Sequence, residues 1–508
     1  MIRIWLKAAL VALLLLPGAV TAQNFAPGEL LVKINAASQN LAFKNRSIEK
    51  VGAKMLQQFT GSDWIRVRLP KGMSLDEGIE RFGDFPEVEA VQPNFYYHLL
   101  ATPNDTSFGS LWGMTKISAP SAWDITTGNA SVVVAVIDTG IRYTHDDLAA
   151  NLWRNTSEIP NNSVDDDNNG FVDDYYGWDF RYNDSDPMDE NGHGTHTAGT
   201  IGAVGNNGLG VVGVNWNVKV MAIKIYSPNG NDTTSAMLID AYNYIKLMKS
   251  RGVNIRVTNN SYGGCAEACG YDLATKEAID ALGDAGILNV FAAGNSAVNI
   301  DQTPFYPASY NSPSILTVSS SAADDSRSGF SNYGVVGSDI AAPGSSIYST
   351  YNSSNSSYAT LSGTSMATPH VAGAAALLAG YYPNMTVASL KATLMNTVDL
   401  LPGWTSLVKS GGRLNVLRAL QTPTTCSPSL NMSTANLPTK GGLLSVNLTV
   451  AQNCDFRIVP SAIWIKTPSG VSSGSGQVNL WIDYNRRISR SGTVSIGGLT
   501  MTVSQSRQ

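Results

Sequence analysis

VAVIDTG at Val134–Gly140, NGHGTHTAG at Asn191–Gly199 and GTSMATPH at Gly363–His370 are the three stretches that decide how this chain folds and what chemistry it can carry. The first is an apolar strand pattern that ends on a carboxylate, Asp138. The second opens a helical run at an imidazole, His193. The third sets a hydroxyl, Ser365, between Gly363-Thr364 and the helix-forming Met366-Ala367-Thr368. Amide hydrolysis through a serine needs these three groups: the hydroxyl attacks, the imidazole takes and returns its proton, and the carboxylate fixes the imidazole's tautomer. The chain order Asp, His, Ser is one of those known to build that geometry.

Around these stretches, from Pro103 to Leu420, apolar strand-like runs alternate with helical patterns. The strands are predicted at Val132–Ile137, Val218–Ile225, Ile255–Asn259, Ile287–Ala292 and Ile315–Ser319. Helices are predicted at Ser235–Lys249, Asp272–Ala285 and Met366–Leu378. The alternation implies an α/β fold, a mostly parallel sheet covered by helices on both faces, with active residues at the carboxyl ends of strands. Residues 421–425 are rich in Pro and Thr and read as a linker. Beyond them, residues 426–508 carry short alternating strands, among them Leu443–Val450, Ala462–Ile465, Val478–Ile482, Thr493–Ile496 and Thr500–Ser504, so a small all-β sandwich is expected there. Residues 23–101 read as a small α/β unit, with strands at Gly28–Ile34, Trp64–Leu69 and Val88–Tyr97 and a helix at Ser74–Phe82.

Arg3 and Lys7 precede the apolar run Ala8–Leu16, which is followed by Pro17-Gly18 and Val20-Thr21-Ala22. This is the pattern of a secretory signal peptide over residues 1–22, cut after Ala22. The run is too short for a membrane anchor. The expected mature protein is soluble, without a membrane span, and extracellular, or periplasmic if retained. At 508 residues the chain suggests two to four domains, and only 14% of residues are charged. A net charge of −5 leaves no basic footprint for nucleic acid. The four cysteines form two local pairs, Cys265 with Cys269 and Cys426 with Cys454, which read as disulfides in an oxidising compartment. A cysteine metal site would want a histidine nearby, and neither pair has one.

The three opening motifs resemble those of the subtilisin-like serine proteases, the subtilases. The resemblance implies a three-layer fold, Ser365 as nucleophile, His193 as general base, Asp138 as its orienting partner, and Asn295 of Ala292-Ala293-Gly294-Asn295 as side-chain donor to the oxyanion. His196 is then a packed neighbour. Two zinc ligands on a helix would want i, i+4 spacing with a Glu between them, and His193 and His196 are three apart. An aspartic protease also uses Asp-Thr-Gly, but it needs a second copy that this chain lacks. The position of residues 23–101 and the ending Val91–Phe95 resemble inhibitor-type propeptides, which implies a zymogen cut near Leu99–Thr102, its own propeptide acting as intramolecular inhibitor. Residues 426–508 resemble the BACON-type modules, which implies an immunoglobulin-like sandwich and a glycan or matrix ligand; a plain spacer fits as well.

By the same resemblance, substrate would add as a strand along Ser261, Tyr262, Gly263 and Gly264, so proteins and peptides are cleaved internally. Phe305 falls near the base of the pocket for the residue before the scissile bond, which implies a shallow pocket. Structural calcium is expected at two places. One follows the family's strong site: Asp105, Asp147, Asn207 and the carbonyls of Val204, Leu209 and Val211, with an extra Gly205 in the loop. The other is the acidic loop Asp165–Asp174, where Asp165, Asp167, Asn169 and Asp173 stand at the spacing of an EF-hand start, although Tyr176 replaces the closing Glu. Two alternatives remain: a glycan- or matrix-binding protein in which proteolysis is secondary or absent, and a processing protease with a single target.

Overall fold

Seven consecutive buried residues, Val132–Asp138, explain the architecture. In a strand, alternate side chains point to opposite faces, so a run that is apolar at every position must be covered on both. Val132, Val134 and Val136 join one core; Val133, Ala135 and Ile137 join another. A computed structural model describes residues 25–35, 41–95, 102–264, 272–485 and 488–506, the side chains of 41–45 excepted. The expected signal peptide, the propeptide cut near Leu99 and the Cys265–Cys269 pair lie outside these residues.

The chain divides into two compact units, residues 1–99 and 100–508. In the first, β1 (Phe25–Ile34), α1 (Leu41–Val51), β2 (Lys54–Gln58), β3 (Trp64–Arg68), α2 (Leu75–Gly83) and β4 (Val88–Phe95) form an antiparallel sheet of order β2-β3-β1-β4. Leu30, Val32, Ile65, Val67 and Phe82 make its core.

The second unit opens with α3 (Trp112–Lys116) and α4 (Ala119–Trp123) and builds a large sheet from β5 (Gly128–Asp138), β6 (Gly177–Asp179), β7 (Asn217–Lys224), β8 (Ile255–Asn260), β9 (Leu288–Ala292), β10 (Ile315–Ser321), β11 (Ile340–Pro343), β14 (Asp399–Leu400) and β15 (Gly412–Arg413). Its order is β14-β15-β11-β10-β9-β8-β5-β7-β6, parallel except at the β14–β15 edge. A separate hairpin pairs β12 (Ile347–Thr350) with β13 (Tyr358–Leu361). On one face lie α5 (His193–Gly202), α8 (Thr364–Tyr381), α9 (Val387–Asn396) and α10 (Val416–Gln421); on the other lie α6 (Ser235–Ser250) and α7 (Leu273–Asp284). This is the expected three-layer α/β fold. Helix α8 is buried along almost its whole length, which is why TSMATPHVAGAAALLAGY carries no polar face.

The remaining strands are β16 (Ser429–Leu430), β17 (Thr434–Leu437), β18 (Gly442–Thr449), β19 (Asp455–Pro460), β20 (Ile465–Lys466), β21 (Val471–Ser473), β22 (Gly476–Ile482), β23 (Arg490–Ile496) and β24 (Leu499–Gln505). They make two sheets, β16-β18-β22-β20 and β17-β24-β23-β19-β21, over a core that includes Val446, Leu480, Ile482, Val494, Ile496 and Val503. Cys426 and Cys454 form a disulfide. The stretch read as a linker is tied down: Gln421 is the last residue of α10, and the Thr424 N–H donates to Thr393 Oγ1.

Candidate active site

Three neighbouring strands, β9, β8 and β5, deliver side chains to one cleft where they end. Asp138 is the last residue of β5; Ser261 follows β8; Asn295 follows β9 after Gly294. His193 and Ser365 reach the same cleft from the first turns of α5 and α8. The cleft holds about 400 Å³.

His193 Nδ1 lies 2.7 Å from Asp138 Oδ1. Two glycines permit this. A Cβ on Gly194 would stand 2.1 Å from the Gly140 carbonyl and 3.1 Å from Asp138 Cβ, so only glycine lets α5 approach the end of β5. Gly192, the residue before the helix, has φ of 108°, and a Cβ there would strike the Tyr351 ring. The same oxygen of Asp138 accepts from the Thr139 N–H at 2.8 Å. Burial by itself would push the His193 pKa down. The Asp138 carboxylate, through charge and hydrogen bond, and the charge of Asp189 outweigh it and hold the value above that of a free imidazole.

Asp189 is a residue the sequence reading missed. It is buried and takes five hydrogen bonds, from Thr139 Oγ1, the Asn191, Gly192 and Thr195 N–H groups, and Thr195 Oγ1. It thereby caps the start of α5 and ties that helix to the Thr139 turn, whose hydroxyl in turn accepts from Gly194 N–H. The signal was present: an Asp a few residues ahead of a helical run is a capping pattern.

Ser365 is tied to the β8 segment. Pro369 has no N–H, so the carbonyl four residues earlier, that of Ser365, lacks its helical partner. Ser261 Oγ donates to that carbonyl at 2.9 Å, and Ser365 Oγ donates to the Ser261 carbonyl at 3.0 Å. The Ser365 hydroxyl is thus hydrogen-bonded to Ser261 here and must change partner to give its proton to the imidazole. Such links often tighten only when substrate is bound. Asn295 Oδ1 accepts from both the N–H and the Oγ1 of Thr364, at 2.9 Å each. With its oxygen so engaged, its NH₂ is the end left for the cleft, beside Gly363. Thr364 is a second residue the sequence reading passed over.

His196 is buried; its Nε2 faces the carbonyls of Ile347 and Ala359 at 3.0 and 3.2 Å, and burial pushes its pKa down to about 4. A nitrogen donating to carbonyls is no metal ligand.

Comparison with known proteins agrees with this geometry. The Subtilase family (Peptidase S8) matches residues 129–423, and the fervidolysin N-terminal prodomain matches residues 18–94. The chain belongs to the subtilase family. It is similar to thermitase of Thermoactinomyces vulgaris, 38% identical over 63% of this chain and 99% of that protein. It is also similar to a thermophilic serine proteinase of Bacillus sp. (strain AK1), 32% identical over 78% of this chain and 88% of that one. A solved protease of Pseudoalteromonas arctica matches with a TM-score of 0.51 and 31% identity, over 63% of this chain and 99% of that one. This subtilase is a serine peptidase with a prodomain.

The subtilase's cleft is lined by Ser261, Tyr262 and Gly263, and Gly263 and Gly264 have φ of 152° and 111°. Phe305 lies against the two glycines. A Cβ on Gly263 would stand 2.5 Å from the Phe305 ring, one on Gly264 3.3 Å and one on Gly294 2.8 Å. The ring thus packs against the glycines of both segments and lines the cleft.

The oxygen groups expected to hold calcium fall into two clusters. Asp105 and Asp147 are both buried. Asp147 accepts from Asn207 Nδ2, the Val211 N–H and the Tyr358 hydroxyl; Asp105 Oδ2 accepts from the Asn206 N–H, while Asp105 Oδ1 is buried with no hydrogen-bond partner. Burial, helped by the charge of Asp147, pushes the Asp105 pKa up. An unpaired buried carboxylate oxygen beside a second carboxylate fits a cation. The extra Gly205 packs on the Trp216 ring, where any Cβ would collide.

In the acidic loop the grouping differs from the expected one. Asp165 and Asp167 converge with Glu158, their oxygens within 4.8 Å of one another. Asp173 does not join them: its two oxygens cap the N–H groups of Asn162 and Ser163. Asn169 is also engaged, donating to Asp174 and accepting from the Phe171 N–H. EF-hand spacing misleads here because no flanking helices hold the loop in that coil. Glu158, from outside the loop, was not foreseen.

Proposed function

We propose that this subtilase is a secreted endopeptidase made as a zymogen. In its neutral form, His193, oriented by Asp138, takes the Ser365 proton as the hydroxyl oxygen bonds to the scissile carbonyl carbon. The carbonyl π pair moves onto oxygen, where Asn295 Nδ2 and the Ser365 N–H receive it at the start of α8. His193 then gives its proton to the leaving amine, the C–N bond breaks, and water repeats the sequence on the acyl-enzyme. Substrate backbone pairs with residues 261–264 as an added strand, and Phe305 limits the residue before the scissile bond to small side chains. The prodomain acts as the enzyme's own inhibitor until it is cut away. Where calcium is bound, Asp105, Asp147 and Asn207 hold one ion and Glu158, Asp165 and Asp167 a second, and each ion fastens surface loops.

The single observation that carries the reading is the 2.7 Å link from His193 to Asp138 in a cleft shared with Ser365 and Asn295. A fluorophosphonate probe tests it. Activated protein should be labelled on Ser365 and should digest casein, and Ser365→Ala should do neither. Labelling that persists in the alanine variant, or undigested casein with fully processed wild type, would overturn it.

A further inference from the structure

The C-terminal sandwich meets the subtilase core through groups that a loosely tethered module would keep in water. Lys391, in the middle of α9, is only 4% exposed. Its Nζ lies 2.8 Å from Asp455 Oδ2 of β19 and 3.5 Å from Asp339 Oδ2 of the core. Lys409 approaches the other oxygen of Asp455 at 3.6 Å, and Asp339 is itself fixed by the Thr317 N–H. A lysine is almost never buried without a partner, because removing its charge from water is costly. Here half of the compensation comes from the sandwich.

The rest of the seam is equally specific. Arg457 of β19 pairs with Asp280 of α7. Asn396, at the end of α9, donates to the Gln452 carbonyl at 3.0 Å and accepts from Asn453 Nδ2 at 2.7 Å. The Cys426 N–H donates to Ser389 Oγ, and the Val471 N–H to Asn311 Oδ1. The Cys426–Cys454 disulfide fixes the start of the sandwich next to Asp455. Helix α9 packs both on β19 and on α8, the helix that begins at Thr364-Ser365.

We infer that the sandwich is a permanently docked brace on the α8–α9 pair, retained on the mature enzyme and needed for its persistence. Charges this deeply buried suit a contact that forms once on folding, since each release would rehydrate Lys391 and Asp455 and each return would strip them again.

The test uses the full chain carrying Ser365→Ala, so that self-digestion plays no part. Hydrogen exchange read by mass spectrometry along a thermal ramp follows peptides of α8 and of β22–β24 together. Both should lose protection at one temperature, and Asp455→Asn should lower that temperature by roughly 5 °C for a cooperative unit of this size. Lys466→Ala, on an exposed pair of the same sandwich, should leave it in place. Opening of β22–β24 at a temperature separate from α8, or an Asp455→Asn protein that melts with its parent, overturns the inference. Should Asp455→Asn fail to accumulate, Asn396→Ala decides: a fall of roughly 1–3 °C in both peptide sets supports the brace, and no shift overturns it.

Discussion

Replacing Phe305 with alanine should convert a shallow specificity pocket into a deep one. The ring stands where a Cβ on Gly263 or Gly294 would already collide with it, so it occupies space beside both glycines that a substrate side chain would otherwise enter. Removing it opens room for an aromatic group. Burying a phenyl side chain stabilises by about 1.5–3 kcal/mol, and 1.4 kcal/mol is tenfold, so the ratio of kcat/KM for Phe over Ala before the scissile bond should rise roughly 10- to 150-fold. The gain carries a structural cost, because Phe305 also packs on the core that holds Tyr262 and Tyr306. For a half-buried Phe→Ala change that cost is at the lower end of about 3–5 kcal/mol. The assay is a pair of peptide anilides differing only at that residue, run on wild type and Phe305→Ala, with thermal melting of both in the Ser365→Ala background. Wild type should favour Ala, and the variant Phe. An unchanged ratio in a folded variant, or a wild-type enzyme that already prefers Phe, refutes the argument.

Asn295→Ala should lower kcat about 100- to 1000-fold with KM little changed, a magnitude measured for such a donor within this family; stopped-flow or steady-state peptide kinetics suffice. The acid limb of kcat/KM should lie above the ordinary imidazole pKa, because protonated His193 cannot accept the serine proton and the Asp138 carboxylate holds that proton on. Asp138→Asn should move the limb to lower pH while cutting kcat by about 10,000-fold. The stability supplied by the His193–Asp138 pair runs the other way: it is complete below the unfolded imidazole's pKa and is lost as pH rises through the folded one. Asp189→Ala should cost roughly 3–5 kcal/mol of folding stability by leaving buried donors unmet, read as a lowered melting temperature. Chelation should lower the stability of wild type by about 2.7 kcal/mol when the ion was at 100 times its Kd, read as a lower melting temperature, and Asp105→Asn should shrink that response.

Which parts of this protein its sequence discloses follows from how local their causes are. The central sheet could be read because Val132–Ile137 is apolar at every position, a pattern only a doubly covered strand explains. The residues that share the cleft could be read because each lies in a short motif, His193 next to Gly194, Asn295 next to Gly294 and Ser365 four residues before Pro369. Short strands such as β6, β11 and β21 went unseen; three or four residues carry no period, and only their neighbours in the sheet make them strands. Glu158 was invisible for a related reason: it lies ahead of the acidic run, and only the folding of the loop brings it beside Asp165 and Asp167. Lys391 shows the limit most sharply. In sequence it is one lysine in the helical run VASLKATLMN, and such a residue belongs on a solvated face. It is buried because two carboxylates, one 52 residues before it and one 64 after, converge on its Nζ. No pattern in a short window encodes that meeting. The local code therefore specifies the chemistry of the cleft, while the long-range pairing of charge decides what the C-terminal residues do for it.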